Sequence, residues 1–182
     1  EVFYRESGGG VTFSGGEPLA QLDFLRSLVG ACGAVGYSTA VETGAFFDWQ
    51  AGADIIEHFD AVFVDVKHMD PKEHRRYTGV PNETILGNVR RILKTNGNVV
   101  VRVPLVAGVN DGEENIRGLC AFLADANPVG LRGVEFLPHH ALGVPKYARL
   151  GLPSPHAFTA PPPERTEALK SLVRESGINV ID

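Results

Sequence analysis

Two hydrophobic periods take turns along this chain, and their alternation restricts it to folds built from β/α units. Val11-Thr12-Phe13-Ser14 is β-prone and runs into Gly15-Gly16, as a strand entering a loop does. Leu22, Leu25, Leu28, Val29, Cys32 and Val35 then recur every three or four residues, the stripe of a helix starting just after Pro18. The cycle repeats with a strand over residues 37–43, a helix over 49–59 and a nearly all-apolar strand over 61–66, which reads as buried on both faces. Leu86, Val89, Ile92 and Leu93 mark a helix, residues 99–106 a strand, and Ile116, Leu119, Cys120 and Leu123 the next helix. A short strand over 134–137, a helix over 164–174 and an edge strand over 178–181 complete the series.

Strands alternating with helices predict a parallel sheet with right-handed crossovers. Periodicity leaves an open doubly wound sheet and part of a β/α barrel as equal alternatives. With 182 residues, no internal repeat and no linker, the chain reads as a single domain over 1–182. Residues 141–163 are rich in Pro and Gly and read as a long surface connection.

Composition narrows the partners. Hydrophobic residues make up 43% and charged residues 21%, the balance of a soluble globular protein. A net charge of −5 gives no general attraction to nucleic acid or anionic membrane. No apolar run approaches the ~20 residues of a membrane span. Glu1-Val2-Phe3-Tyr4-Arg5 has none of the parts of a signal peptide, and the expected location is the cytoplasm. The missing initiator methionine leads to the expectation of a fragment or a processed form. Cys32 and Cys120 belong to no ligand pattern and lie on apolar helical stripes, so core packing in a reduced protein is the simpler reading.

Polar residues gather at the predicted strand ends, where parallel α/β folds place their sites. Ser14, Gly15, Gly16 and Glu17 follow the first strand; Glu42, Thr43 and Gly44 close the second; Asp65 and Lys67 end the third. Asn110 and Asp111 follow the fourth, and His139 and His140 the fifth. Gly15 and Gly16 let a ligand approach the backbone, and Glu17 suits an ammonium. Lys67 suits a carboxylate; Glu42, Thr43 and Asp65 offer oxygen ligands to a small cation or to ribose hydroxyls. A ligand matching this set carries both an amino-acid head and a sugar. Each residue also has a plainer reading: the glycines as turns, Lys67 as a solvated strand-end lysine. The adjacent His139 and His140 point apart in extended chain and rarely share a metal. No phosphate loop is present, and Ser14 lacks the surround of a nucleophilic serine.

The motif from Ser7 to Pro18, with Gly15-Gly16-Glu17-Pro18 at its end, resembles the radical S-adenosylmethionine (SAM) activases of glycyl radical enzymes, such as pyruvate formate-lyase activating enzyme. The likeness continues in order through Val41-Glu42-Thr43-Gly44, Asp65-Val66-Lys67-His68-Met69 and Tyr77-Thr78-Gly79-Val80-Pro81-Asn82. It resumes at Arg102-Val103-Pro104-Leu105, Gly108-Val109-Asn110-Asp111 and Phe136-Leu137-Pro138-His139-His140-Ala141-Leu142-Gly143. The resemblance implies an α/β fold, a partial (β/α) barrel of the radical SAM type, with SAM across the C-terminal strand ends. It implies that Gly15, Gly16 and Glu17 hold the methionine amino group and that Lys67 meets the SAM carboxylate. Glu42, Thr43 and Asp65 match positions associated with SAM and a monovalent cation. His140 matches a histidine near the adenosine, and His139 stands where the family carries Tyr. The implied partners are a glycyl radical enzyme, as protein substrate, and an electron donor such as flavodoxin or ferredoxin.

One departure is large. The family binds a [4Fe–4S] cluster through C-x-x-x-C-x-x-C, and the reduced cluster cleaves SAM to a 5′-deoxyadenosyl radical that takes hydrogen from a glycine. That motif is absent from this sequence. The expectation is therefore a chain lacking the first strand–helix unit, inactive alone, weak in SAM binding, and prone to self-association through an exposed edge. The alternatives are a non-catalytic SAM- or protein-binding module, another radical SAM enzyme, and an unrelated barrel enzyme using Glu42, Asp65, Lys67 and His140 for acid–base work.

Overall fold

Each apolar run that the sequence marks as β-prone becomes a strand pairing in parallel with the next one in sequence. The computed structural model describes residues 9–141, 147, 149–152 and 158–182. Its strands are β1 (Gly10–Phe13), β2 (Ser38–Thr43), β3 (Ala61–Asp65), β4 (Val99–Leu105), β5 (Leu131–Pro138) and β6 (Val180–Ile181). The helices are α1 (Leu22–Ala34), α2 (Trp49–Ile56), α3 (Pro71–Thr78), α4 (Glu83–Thr95), α5 (Glu113–Ala126) and α6 (Pro163–Glu175). A 3₁₀ turn, Pro18–Gln21, precedes α1.

The strand order is strictly sequential, β1 to β6. A doubly wound sheet reverses its order at a switch point, and this one does not. Right-handed crossovers then bring every helix to the same face, the winding of a β/α barrel left open as an arc. Of the two alternatives open at the sequence level, the partial barrel is the one formed.

Burial follows from that winding. Val41, Val62, Val64, Val101, Val103, Leu105 and Val134 face the helices and are essentially inaccessible. They pack on Ile56, Ile92, Leu93, Ile116, Leu119, Leu123 and Leu169 in one core. The other face is half-exposed: Ala61, Phe63 and Asp65 alternate with the buried Val62 and Val64. The reading of residues 61–66 as buried on both faces is thus corrected, because helices cover only one face. Cys120 is buried in α5 and Cys32 half-buried in α1, both as free thiols.

Sequence periodicity does not reveal α3. Only His74 of this helix is buried, so it has no apolar stripe. Its signals are at its ends. Asp70 caps the N-terminus by accepting from the backbone N–H groups of Lys72 (2.7 Å) and Glu73 (2.9 Å). Those bonds, the one from Glu73 first, hold the Asp70 carboxyl below the usual range. Pro71 occupies the first helical turn and Gly79 closes the helix in the left-handed region, φ 87°.

Four buried asparagines fix the loops, and each Nδ2 donates to two backbone carbonyls. Asn82 reaches His68 and Met69; Asn88 reaches Ala45 and Phe47. Asn96 reaches Ile56 and Phe59; Asn110 reaches Lys67 and Pro104. Asn110 thereby ties the end of β3 to that of β4. Ile92→Ala should lower stability by about 2–5 kcal/mol in urea denaturation. The 61% exposed Phe24, changed to Ala, should stay within about 0.5 kcal/mol.

Candidate functional site

β1 ends at Phe13, and the chain turns at once through Ser14-Gly15-Gly16-Glu17. Gly15 sits at φ 115°, a conformation that side chains with a Cβ resist. Gly16 differs: a Cβ there would meet no atom within 4 Å, so packing inside the chain gives no reason for glycine. The loop borders a cavity of about 470 Å³ at the C-terminal ends of the strands. Gly15, Gly16, Glu17, Glu42, Thr43, Asp65 and Lys67 all line it, so seven of the eight residues expected from the sequence converge.

Glu17 organises this end of the sheet. Its Oε1 accepts from Thr43 Oγ1 (2.8 Å) and Leu19 N (3.2 Å), and its Oε2 accepts from Gly44 N (2.9 Å). The Thr43 hydroxyl also accepts from Ala45 N (2.9 Å), and Thr43 is only 3% exposed. Its hydroxyl is therefore committed to the fold. The Glu17 carboxylate thus forms part of the cavity wall.

Glu42 is held from two sides. Ser14 Oγ donates to Oε2 (2.7 Å) and Arg102 Nη1 to Oε1 (2.8 Å). The Ser14 hydroxyl, followed by the Arg102 guanidinium, holds the Glu42 carboxyl below the usual carboxylate range. Strand register explains the rest: Asp65 is the β3 partner of Arg102, and Glu135 its β5 partner, so all three project from one face. Arg102 Nε lies 3.7 Å from Asp65 Oδ1 and 3.9 Å from Glu135 Oε2. That nitrogen is buried and has no hydrogen-bond partner. Lys67 Nζ stands 3.5 Å from Asp65 Oδ2.

Three features differ from the expected site. His140 is exposed and does not line the cavity; its ring stacks on His139, centroids 6.5 Å apart. Leu142 and Gly143 of its motif lie outside the described residues. Glu42 and Asp65, expected around a small cation, already share Arg102. Among the described residues, no cluster of three His, Cys, Asp or Glu is placed to hold a metal ion. Sequence reasoning placed Ser14 at the strand ends without a ligand role and did not assign Arg102 or Glu135 to the site. A signal existed for the last two: each is a charge inside an apolar strand, where charged residues rarely stand unpaired.

The lowered pKa of Glu42 makes its bonds a source of stability at neutral pH. That contribution is complete above the unfolded value of about 4.3 and is lost as pH falls through the lower folded value. Arg102→Gln should therefore destabilise most near pH 7, with the difference from wild type shrinking below about pH 4 in chemical denaturation.

The radical SAM superfamily profile matches residues 1–120. The choline trimethylamine-lyase activating enzyme of Oleidesulfovibrio alaskensis is 41% identical over 150 residues, 82% of this chain and 48% of that one. The trans-4-hydroxy-L-proline dehydratase activating enzyme of Clostridioides difficile is 32% identical over 182 residues, 98% of this chain and 59% of that one. The chain thus spans about half the length of the curated relatives it matches. A crystal structure of a domain of pyruvate-formate lyase-activating enzyme from Bacteroides vulgatus superimposes with a TM-score of 0.79 at 29% identity, over 96% of this chain and 98% of that one. A radical SAM methyltransferase from Sphaerobacter thermophilus shares the fold at 18% identity, TM-score 0.67. With its sequential β/α arc and its polar strand-end cavity, the chain belongs to the radical SAM superfamily.

Proposed function

We propose that residues 1–182 form one radical SAM core domain and act as the SAM-binding part of an activase for a glycyl radical enzyme. The cavity carries this reading. Its lining sets the carboxylates of Glu17, Glu42 and Asp65 against the cations of Lys67 and Arg102, a balance of one net negative charge. SAM has a carboxylate, an ammonium and a sulfonium, a balance of one net positive charge. The size also suits a small molecule, and Gly16 leaves open space where a Cβ would stand. The two curated relatives named above support the activase role, since both are activating enzymes.

In this reading the Gly15-Gly16 backbone and Glu17 receive the methionine ammonium, and Lys67 pairs with the carboxylate. Glu42 and Asp65 accept ribose hydroxyls, because a monovalent cation among Glu42, Thr43 and Asp65 would compete with Arg102 for the two carboxylates. His140, expected beside the adenosine, does not line this cavity and takes no part in the reading. Bound SAM with a reduced [4Fe–4S] cluster supplies hydrogen-atom abstraction chemistry. The cluster needs three thiolates, and this sequence has two cysteines, on α1 and α5, neither lining the cavity. These two residues do not fit the cluster. The protein substrate would be a glycyl radical enzyme and the electron donor a flavodoxin or ferredoxin. A cytoplasmic setting agrees with the two free thiols. No helix among the described residues is long and apolar enough to cross a membrane.

A second reading, a SAM-binding module without radical chemistry, uses the same cavity. Two measurements decide. SAM should bind this chain in ligand-observed NMR, and Lys67→Ala should weaken binding about 10-fold or more by removing a charge-assisted bond. After iron–sulfur reconstitution and reduction, the chain alone should leave SAM intact. No binding would remove both readings, and robust SAM cleavage would overturn the inactivity of the chain.

A further inference from the structure

Beside the strand-end cavity lies a smaller recess of about 170 Å³. Tyr77, Phe158, Pro104, Val106 and Val109 give it an apolar wall. The rings of Tyr77 and Phe158 meet edge to face, centroids 6.3 Å apart. Lys67, His74 and Thr78 border both spaces, which makes the recess contiguous with the cavity.

His74 is the informative member. It is 2% exposed, and its Nδ1 lies 2.7 Å from the carbonyl oxygen of Val80. A carbonyl has no proton to give, so Nδ1 carries the hydrogen and donates it. Thr78 Oγ1 lies 3.0 Å from the same nitrogen and itself donates to the His74 carbonyl at 2.7 Å, bracing the ring. An imidazole whose one N–H is at Nδ1 has its lone pair on Nε2. That nitrogen has no partner among the described residues. His74 itself lines both spaces. The fold therefore holds a fixed acceptor where the two spaces meet, and the described residues supply no donor to it.

We propose that the recess is a side-chain subsite for an aromatic group carrying one N–H or O–H donor, accepted by His74 Nε2. The apolar wall selects a ring-sized body, and the acceptor selects its polar edge, since a ring without a donor would leave a desolvated nitrogen unpaired. Lys67 and Glu73, of opposite charge, both border the recess, so a neutral group fits better than an ion. This inference rests on the activase reading for its occupant, a side chain of the protein partner entering beside bound SAM. Neither the SAM contacts proposed above nor the strand-end charges use His74.

The probes are p-cresol and toluene, titrated into the intact chain with ¹⁵N-labelled histidine. p-Cresol should bind about 3- to 10-fold more tightly than toluene and shift the Nε2 resonance of His74. His74→Asn keeps an N–H near Val80 and removes the Nε2 acceptor; the preference for p-cresol should vanish. His74→Gln offers an oxygen near the Nε2 position and should restore part of it. Equal affinity of wild type for the two probes, no shift at His74, or no binding of either would overturn the proposal, whatever the stability of the variants. SAM titrated into the same samples separates the two claims: lost SAM binding with an intact p-cresol preference counts against the SAM reading alone.

Discussion

A strand in a parallel sheet shows alternate side chains to opposite faces, and in this chain the helices cover only one of them. Val62 and Val64 of β3 are fully buried, while Phe63 and Asp65 between them stay half-exposed. β4 repeats the arrangement, with Val101 and Val103 inside and Arg102 outside. The same period that builds the core therefore delivers charges to the concave face. Register then sets which charges meet: Asp65, Arg102 and Glu135 are partners across three strands. A one-residue slip of β4 would turn Arg102 into the helix layer and dismantle core and site together.

Strand ends alone would not hold such a site, because their loops carry carbonyls that need donors. The chain meets that need with buried amides more than with further secondary structure. Asn110 joins the carbonyls of Lys67 and Pro104, so the backbone beneath Lys67 is tied to the end of β4. Asn88 does the same for Ala45 and Phe47, just past Thr43. Glu17 performs the mirror task, accepting donors from β2 and from its own turn. Lys67 and Glu17 are therefore set by bonds that form on folding, before any ligand arrives.

How much of this the sequence displays depends on which physical term fixes each element. Elements fixed by burial are legible: α4 shows its stripe in Leu86, Val89, Ile92 and Leu93, and β4 its apolar run. α3 buries one residue and is fixed by its caps, so a hydrophobic pattern passes over it, although Asp70-Pro71 and Gly79 mark its ends. Sheet winding is not local at all; sequential and reversed strand orders use the same β/α text. The site divides in the same way. Gly15, Gly16, Glu17, Glu42, Thr43, Asp65 and Lys67 stand at strand ends and are visible there. Arg102 and Glu135 lie inside strands and become site residues only through register. His140 stands at a strand end as well, yet the described chain carries it away from the cavity.

Arg102 shows why the cavity is negative in spite of its two cations. Its side chain is 18% exposed, a costly position for a guanidinium without partners. One carboxylate, Glu42, makes a full charge-assisted bond at 2.8 Å. Asp65 and Glu135 stay beyond hydrogen-bond range at 3.7 and 3.9 Å, close enough to stabilise the cation by Coulomb attraction yet leaving Nε–H without an acceptor. Three carboxylates around one guanidinium overcompensate it. Lys67 offsets only part of the excess, from the side of Asp65. A second small cation drawn in here would compete with Arg102 for Glu42 and Asp65. A ligand that brings its own carboxylate to Lys67 and its positive charge toward Glu17 avoids that competition, because it uses the two charges that Arg102 does not engage.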